Sequence, residues 1–153
     1  MSQQNRFQDN SSGVITDTKY NKYWLPKDSW GDLGQWRNFN EAKSYTQLMN
    51  QVYAGGFSDW RLPTLEEAKS LYDQALGQRD WDDEAVFIDA LFVTKCANFM
   101  WTSETNDKQE VGRINLRNGE VEFIDPNTQE HQSARLVRDI PTDRQLEANH
   151  DEQ

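Results

Sequence analysis

Apolar residues fall in short clusters between long polar stretches, and the spacing inside each cluster predicts an element. In RFQDNSSGVITDTKYNKYWLP, the β-prone runs Val14-Ile15-Thr16 and Tyr20 to Trp24 read as two short strands around a polar turn at Asp17, and Pro26 ends the second. Ala42, Tyr45, Met49 and Val52 recur at helical spacing behind Asn40, whose side chain is expected to cap a helix that stops before Gly55-Gly56. Thr64 and Glu67 make an S/T-x-x-E capping box ahead of Ala68, Leu71, Tyr72 and Ala75. That is the face of a second amphipathic helix, with Gly77 at its expected C-terminal stop.

Residues 27–39, KDSWGDLGQWRNF, show no period and read as a loop whose Trp30 and Trp36 either fold back onto the body or stand exposed as contacts. The run QRDWDDEAVFIDALF begins acidic and ends apolar, which suggests a loop carrying Trp81 and then a short turn or strand near Phe87 to Phe92. From residue 99 onward FMWTS, EVGRINLR, GEVEFID and SARLVRD read as strands. Asn118-Gly119 predicts a type I′ hairpin that sets Leu116 opposite Val121 and Ile114 opposite Phe123. Helices precede strands, so the chain reads as one α+β domain over residues 1–139, followed by a mobile acidic tail over 140–153.

Composition narrows the range of partners. Hydrophobic residues make up only 35% of the 153, but six tryptophans concentrate apolar area into few side chains and predict an aromatic-rich core. The net charge of -10 repels phosphate backbones and anionic membrane surfaces, which argues against a nucleic-acid partner. Cys96 is the only cysteine, so it forms neither an internal disulfide nor a cysteine-cluster zinc site and reads as a small buried hydrophobe. The segment MSQQNRFQDNSSG carries no apolar signal-peptide core and no stretch is apolar enough for a membrane span, so a soluble, cytoplasmic protein is expected.

Candidate chemistry is sparse. His131 and His150 are the only histidines, and no nucleophile stands in a recognisable triad pattern. Neither a G-x-x-x-x-G-K-[ST] nor a G-x-G-x-x-G phosphate loop occurs. The paired carboxylates carry little information among 26 acidic residues, and Asp82 to Glu84 read as a solvated charge run. Asp107, Asp125 and Asn127 are oxygen-bearing candidates for calcium, although Asp-Pro-Asn is also an ordinary turn; no cofactor is predicted.

One succession of motifs is more specific. R-F-x-D-N-x-x-G-x-[VI]-T-D at Arg6 to Asp17 is followed by Trp24. The block G-G-F-S-D-W-R-L-P-T-x-x-E then presents Gly55, Gly56, Asp59, Trp60, Arg61, Leu62, Pro63, Thr64 and Glu67, and W-T-S at Trp101 and R-L-V-R ending at Arg138 complete the order. This pattern, from about residue 6 to residue 139, resembles the Lcl C-terminal domain family, a bacterial family named for the C-terminal domain of the Legionella collagen-like adhesin.

The resemblance implies a C-type-lectin-like fold: two helices on a small, twisted, mainly antiparallel sheet, with N- and C-terminal strands brought together. The formylglycine-generating enzymes share that scaffold, but their cysteine pair or histidine-bound metal has no counterpart in this chain. Relatives often carry cysteines near the first helix and the closing strand, where this chain has Tyr45-Thr46 and Leu136-Val137. The adhesin domain binds sulfated polysaccharides, which the acidic charge here disfavours.

The expected function is a non-catalytic binding module for a protein or carbohydrate partner, with Trp30, Trp36 and Trp81 as contact candidates. The alternatives are an enzyme with an unrecognised site on the formylglycine-type scaffold, and a structural or assembly protein, phage-related or oligomeric. The motif block itself reads as scaffold, with Arg61 as an internal ion-pair or carbonyl donor.

Overall fold

The computed structural model describes residues 6–10 and 12–141, so His150 and all but the first two residues of the expected tail lie outside the described residues. Among the described residues the fold is α+β, with three α-helices and mainly antiparallel sheets. Strands β1 (Phe7–Asp9), β2 (Ile15–Asp17) and β3 (Lys22–Trp24) form an antiparallel meander at the N-terminal end. The first of these was not expected as a separate strand. The C-terminal strand β10 (Val137–Asp139) pairs antiparallel with β3, placing Val137 opposite Trp24.

Helix α1 (Ser29–Leu33) occupies what reads as a loop in the sequence. Asp28 caps it by accepting from the Gly31 N–H, and Gly34, in the left-handed conformation at φ 68, ends it after little more than one turn. Helix α2 (Phe39–Gln51) begins under a capping box made by Asn38 and Glu41, not under Asn40. The shift follows from chemistry: only Asn38 has a carboxylate three residues on that can reach back to its N–H. Ala42 and Tyr45 turn inward, but Val52 lies beyond the helix and is 61% exposed.

Helix α3 (Leu65–Leu71) has the expected Thr64–Glu67 capping box but is shorter than the pattern suggests. Tyr72 turns extended and packs on Gly119, where an added Cβ would lie 2.8 Å from its ring, while the Asp73 N–H donates to the Phe87 carbonyl. Ala75 and Gly77 therefore fall after the helix.

Trp81 sits in a tight hairpin between β4 (Gln78–Arg79) and β5 (Ala85–Val86). A second four-stranded sheet combines β6 (Phe99–Thr105), β7 (Val111–Asn115) and β8 (Val121–Ile124) with β9 (Gln132–Ser133), which runs parallel to β6. The β7–β8 register differs from the expected one by two residues: Ile114 faces Val121 and Gly112 faces Phe123. Asn118 is not in the left-handed region, and only Gly119 adopts positive φ, so the connection is a wider turn closed by Asn115 and Glu120. Leu116 causes the widening. It is fully buried, donates its N–H to the Asn98 carbonyl and accepts from Phe87, and so leaves the ladder. A shift of two keeps every side chain on its face, which is why the alternation in the sequence could not tell the registers apart.

The stretch SARLVRD is not one strand. It leaves the second sheet after β9 and enters the first as β10, and every residue from Gln132 to Arg138 is buried. The core divides accordingly. One cluster gathers around Trp24, Phe92 and Ile114, and the other around Trp60, Trp101 and Leu136. No helix among the described residues is long and apolar enough to cross a membrane.

Gly55 tests the packing of the second cluster, where it lies against Val14, Trp60 and Leu25. Its φ is +61, and an added Cβ would sit 2.5 Å from Val14 Cγ1. Gly55→Ala is expected to cost about 2–4 kcal/mol from positive φ and overpacking together, read as a lower urea midpoint with an unchanged m-value.

Candidate binding surface

The Asp28 carboxylate joins segments remote in sequence. One oxygen accepts the Gly31 N–H at 2.8 Å; the other accepts the Ala97 N–H at 2.9 Å and the Ser133 hydroxyl at 2.8 Å. Arg135 lies 3.9 Å away, and both side chains are buried. Around this centre Ser29 and Ala134 exchange hydrogen bonds: the Ser29 N–H donates to the Ala134 carbonyl, and the Ala134 N–H to the Ser29 hydroxyl.

The three segments held by Asp28 lead directly to aromatic side chains. Trp30 belongs to α1, and Trp36 follows it in the return loop, whose Arg37 N–H donates to the Gln132 carbonyl. Trp81 is fixed twice on the 96–98 segment: its N–H donates to the Cys96 carbonyl, and its indole Nε1–H donates to Asn98 Oδ1 at 2.9 Å. His131 immediately precedes β9.

The side chains meet at the surface. The Trp30 and Trp36 rings stack with centroids 3.8 Å apart and planes 4° from parallel. Trp81 meets the edge of Trp36 at 5.1 Å, and His131 packs against both, 4.9 Å from Trp36 and 4.3 Å from Trp81. The three indoles are half-buried and His131 is exposed. The three tryptophans singled out from the sequence thus form one continuous platform, neither interior to the core nor scattered. Such a patch can stack a flat or apolar ligand face and attract a cation through the ring quadrupoles.

Sequence reasoning missed His131 and the Asp28 centre. His131 carries no local signal beyond its place before a strand. Asp28 could have been recognised as a helix cap had the five-residue helix behind it been periodic enough to detect.

The motif residues lie elsewhere and engage one another. Arg61 makes a bidentate pair with Glu67, at 2.7 and 2.8 Å, and reaches Asp139 at 3.0 Å, while Lys22 bridges Glu67 and Asp139. Arg138 binds Asp59 and lies 3.8 Å over the Phe57 ring. Trp24, Trp60, Leu62 and Trp101 are buried. The Asn50 amide clamps the Trp60 backbone at both N–H and carbonyl, and the Trp101 indole donates to the Arg37 carbonyl. Two concave spaces border this network, one of about 480 Å³ near Lys22, Glu67 and Trp24, and one of about 510 Å³ between Lys43, Arg61 and Ser103.

Burial alone would raise the Glu67 carboxyl, but hydrogen bonds from Arg61, the Thr64 N–H and Lys22 outweigh it and hold the group at about 2. The Lys22 hydrogen bond lowers Asp139 too, against a smaller effect of burial. Lys22 itself is raised, because its bonds to Asp139 and Glu67 overcome desolvation. Burial pushes the Cys96 thiol up to about 11, in keeping with an inert side chain.

The calcium candidates lie in turns. Asp125 accepts the Asn127 N–H at 2.8 Å in a turn, and Asp107 is exposed in the β6–β7 turn. Among the described residues, no group of three or more His, Cys, Asp or Glu side chains is placed to hold a metal ion.

Fold and surface together define a small α+β domain with an exposed aromatic platform. The model of the Lcl C-terminal domain matches residues 13–138, and the chain belongs to that family. A search of curated proteins returned no match.

Two outcomes follow from this geometry. Asp28→Ala leaves Arg135 buried without its carboxylate and is expected to destabilise by about 3–5 kcal/mol, with loss of the near-ultraviolet circular dichroism of the stacked indoles; Asp28→Asn should lose less. Glu67 lies below its ordinary 4.5 when folded, so its contribution is complete above that pH and disappears as pH falls toward 2. Acid titration of stability should therefore show the gap between the native chain and Glu67→Gln closing across that window. A constant gap would contradict the ion-pair assignment.

Proposed function

We propose that the chain is a non-catalytic binding module on a C-type-lectin-like scaffold, recognising a protein or carbohydrate partner through the Trp30, Trp36, Trp81 and His131 platform. The scaffold assignment is supported by the pairing of β3 with β10, which joins the two ends of the domain, and by two capped helices beside twisted, mainly antiparallel sheets.

The observation that carries the functional reading is convergence. Three indoles from two segments remote in sequence, the α1 segment and the β4–β5 hairpin, meet in one half-buried cluster, although each buried apolar Å² would be worth about 25 cal/mol. A contiguous aromatic patch left in water on an otherwise polar chain is the usual mark of an interaction site. The net charge of -10 works against sulfated or phosphorylated partners. An enzymatic reading draws less support, because Arg61, Glu67 and Lys22 beside the concave spaces are committed to one another. A cytoplasmic location belongs to the same proposal, supported by the single, buried cysteine.

The test is a panel of immobilised neutral, amino and sulfated glycans and of synthetic peptides, probed with the native chain, Trp36→Ala and Trp81→Ala. The native chain is expected to retain at least one ligand class, and each substitution to weaken it at least tenfold, about 1.4 kcal/mol, with the folded spectrum preserved. Retention unaffected by both substitutions, or none across the panel, would refute the platform as the binding surface.

A further inference from the structure

We infer that the platform accepts a cationic, extended protein segment, with Arg or Lys head groups lying over the tryptophan faces and against the carboxylates of the 80–84 loop. The inference deepens the platform reading and rests on it.

The loop that presents Trp81 also presents Asp82, Asp83 and Glu84, and the pairing of Arg79 with Ala85 closes it tightly. Buried Asp80 shapes it from beneath: one oxygen accepts the Asp82 and Glu84 N–H groups, and the other accepts Arg117 Nε at 2.7 Å. That carboxylate is used up internally, whereas the three acidic residues Asp82, Asp83 and Glu84 are all exposed. Their nearest cations hold them loosely. Arg117 stands 4.0 Å from Asp82 and Lys95 3.6 Å from Asp83, on side chains 60% and 75% exposed respectively, where ion pairs are weak and readily exchanged. Glu130, also exposed, adds a carboxylate beside His131, although Arg113 already contacts it at 2.8 Å.

Aromatic faces and carboxylates in one loop favour the same ligand group. Guanidinium is planar, weakly hydrated and cationic, so it stacks on an indole while its N–H groups reach a carboxylate. The molecule uses this packing internally, with Arg113 3.7 Å over Phe99 and Arg138 3.8 Å over Phe57. A neutral sugar would gain stacking but nothing from the carboxylates. A polyanion would be repelled by them and by the net charge of -10, which steers cations toward the domain.

The probe is an acetylated Arg-Gly repeat peptide, with a Gln-Gly repeat of equal length and a neutral β-glucan oligosaccharide as comparisons, followed by tryptophan fluorescence. The variants are the triple D82N/D83N/E84Q, which alters only exposed side chains, and Trp81→Leu. The expected result is binding of the Arg-Gly peptide alone, at least fivefold weaker in either variant and weakened by raising salt from about 50 to about 300 mM. Arg-Gly binding that neither variant changes, or equal binding of the Gln-Gly peptide, overturns the inference. Oligosaccharide binding that needs Trp81 but ignores the carboxylates overturns the cationic class and leaves the platform reading intact. If no probe perturbs the indoles, the inference is overturned, and the panel above then decides the platform reading by itself.

Discussion

The buried carboxylate of Asp28 is the point on which the surface of this domain depends. It accepts hydrogen bonds from the first turn of α1, from the backbone leading into β6 and from the hydroxyl at the end of β9, with Arg135 supplying positive charge beside it. A buried charge is costly unless its lone pairs are satisfied. Satisfying this one requires three loops to meet at fixed spacing, and they are the loops that carry Trp30 and Trp36, the anchor of Trp81, and His131. The aromatic platform is therefore the outer face of a buried polar junction. Its geometry is set from within.

The motif block has the complementary task. Arg61, Glu67, Lys22 and Asp139 tie the start of α3 to the paired strands β3 and β10, and Arg138 with Asp59 extends the tie toward Phe57. Saturated in this way, the block offers little unspent hydrogen-bonding capacity to a ligand. Its specificity as a sequence pattern reflects how many mutual contacts a short segment must make to close the two sheets against each other. A pattern that identifies a family need not mark the site where that family's members act.

Local chemistry was legible in the sequence where one side chain decides it. The Thr64–Glu67 box, the burial of Trp60 and Leu62 and the inward role of Arg61 all follow from adjacent residues. Features decided by distant partners were not. Asn38 displaced Asn40 as the cap, Leu116 left the hairpin for contacts with Asn98 and Phe87, and SARLVRD divided between two sheets. Trp30, Trp36 and Trp81 were recognisable as candidates because tryptophan in a polar loop is costly to leave unexplained. Their convergence was hidden, because Asp28, Asn98 and His131, which bring it about, are ordinary polar residues in sequence.

The platform differs physically from a set of exposed aromatics. Each indole is buttressed by another, Trp81 is held at both backbone and Nε1, and the Trp36 carbonyl accepts from the Gln129 amide. Rings immobilised this way have already lost the rotamer freedom that free side chains give up on binding, a cost of about 0.5–1.5 kcal/mol for each rotamer-rich side chain. Preorganisation of this kind lets a small surface discriminate by shape and charge without rearrangement. The hydrogen bonds that Asp28 accepts from Gly31, Ala97 and Ser133 set the spacing of the loops behind those rings.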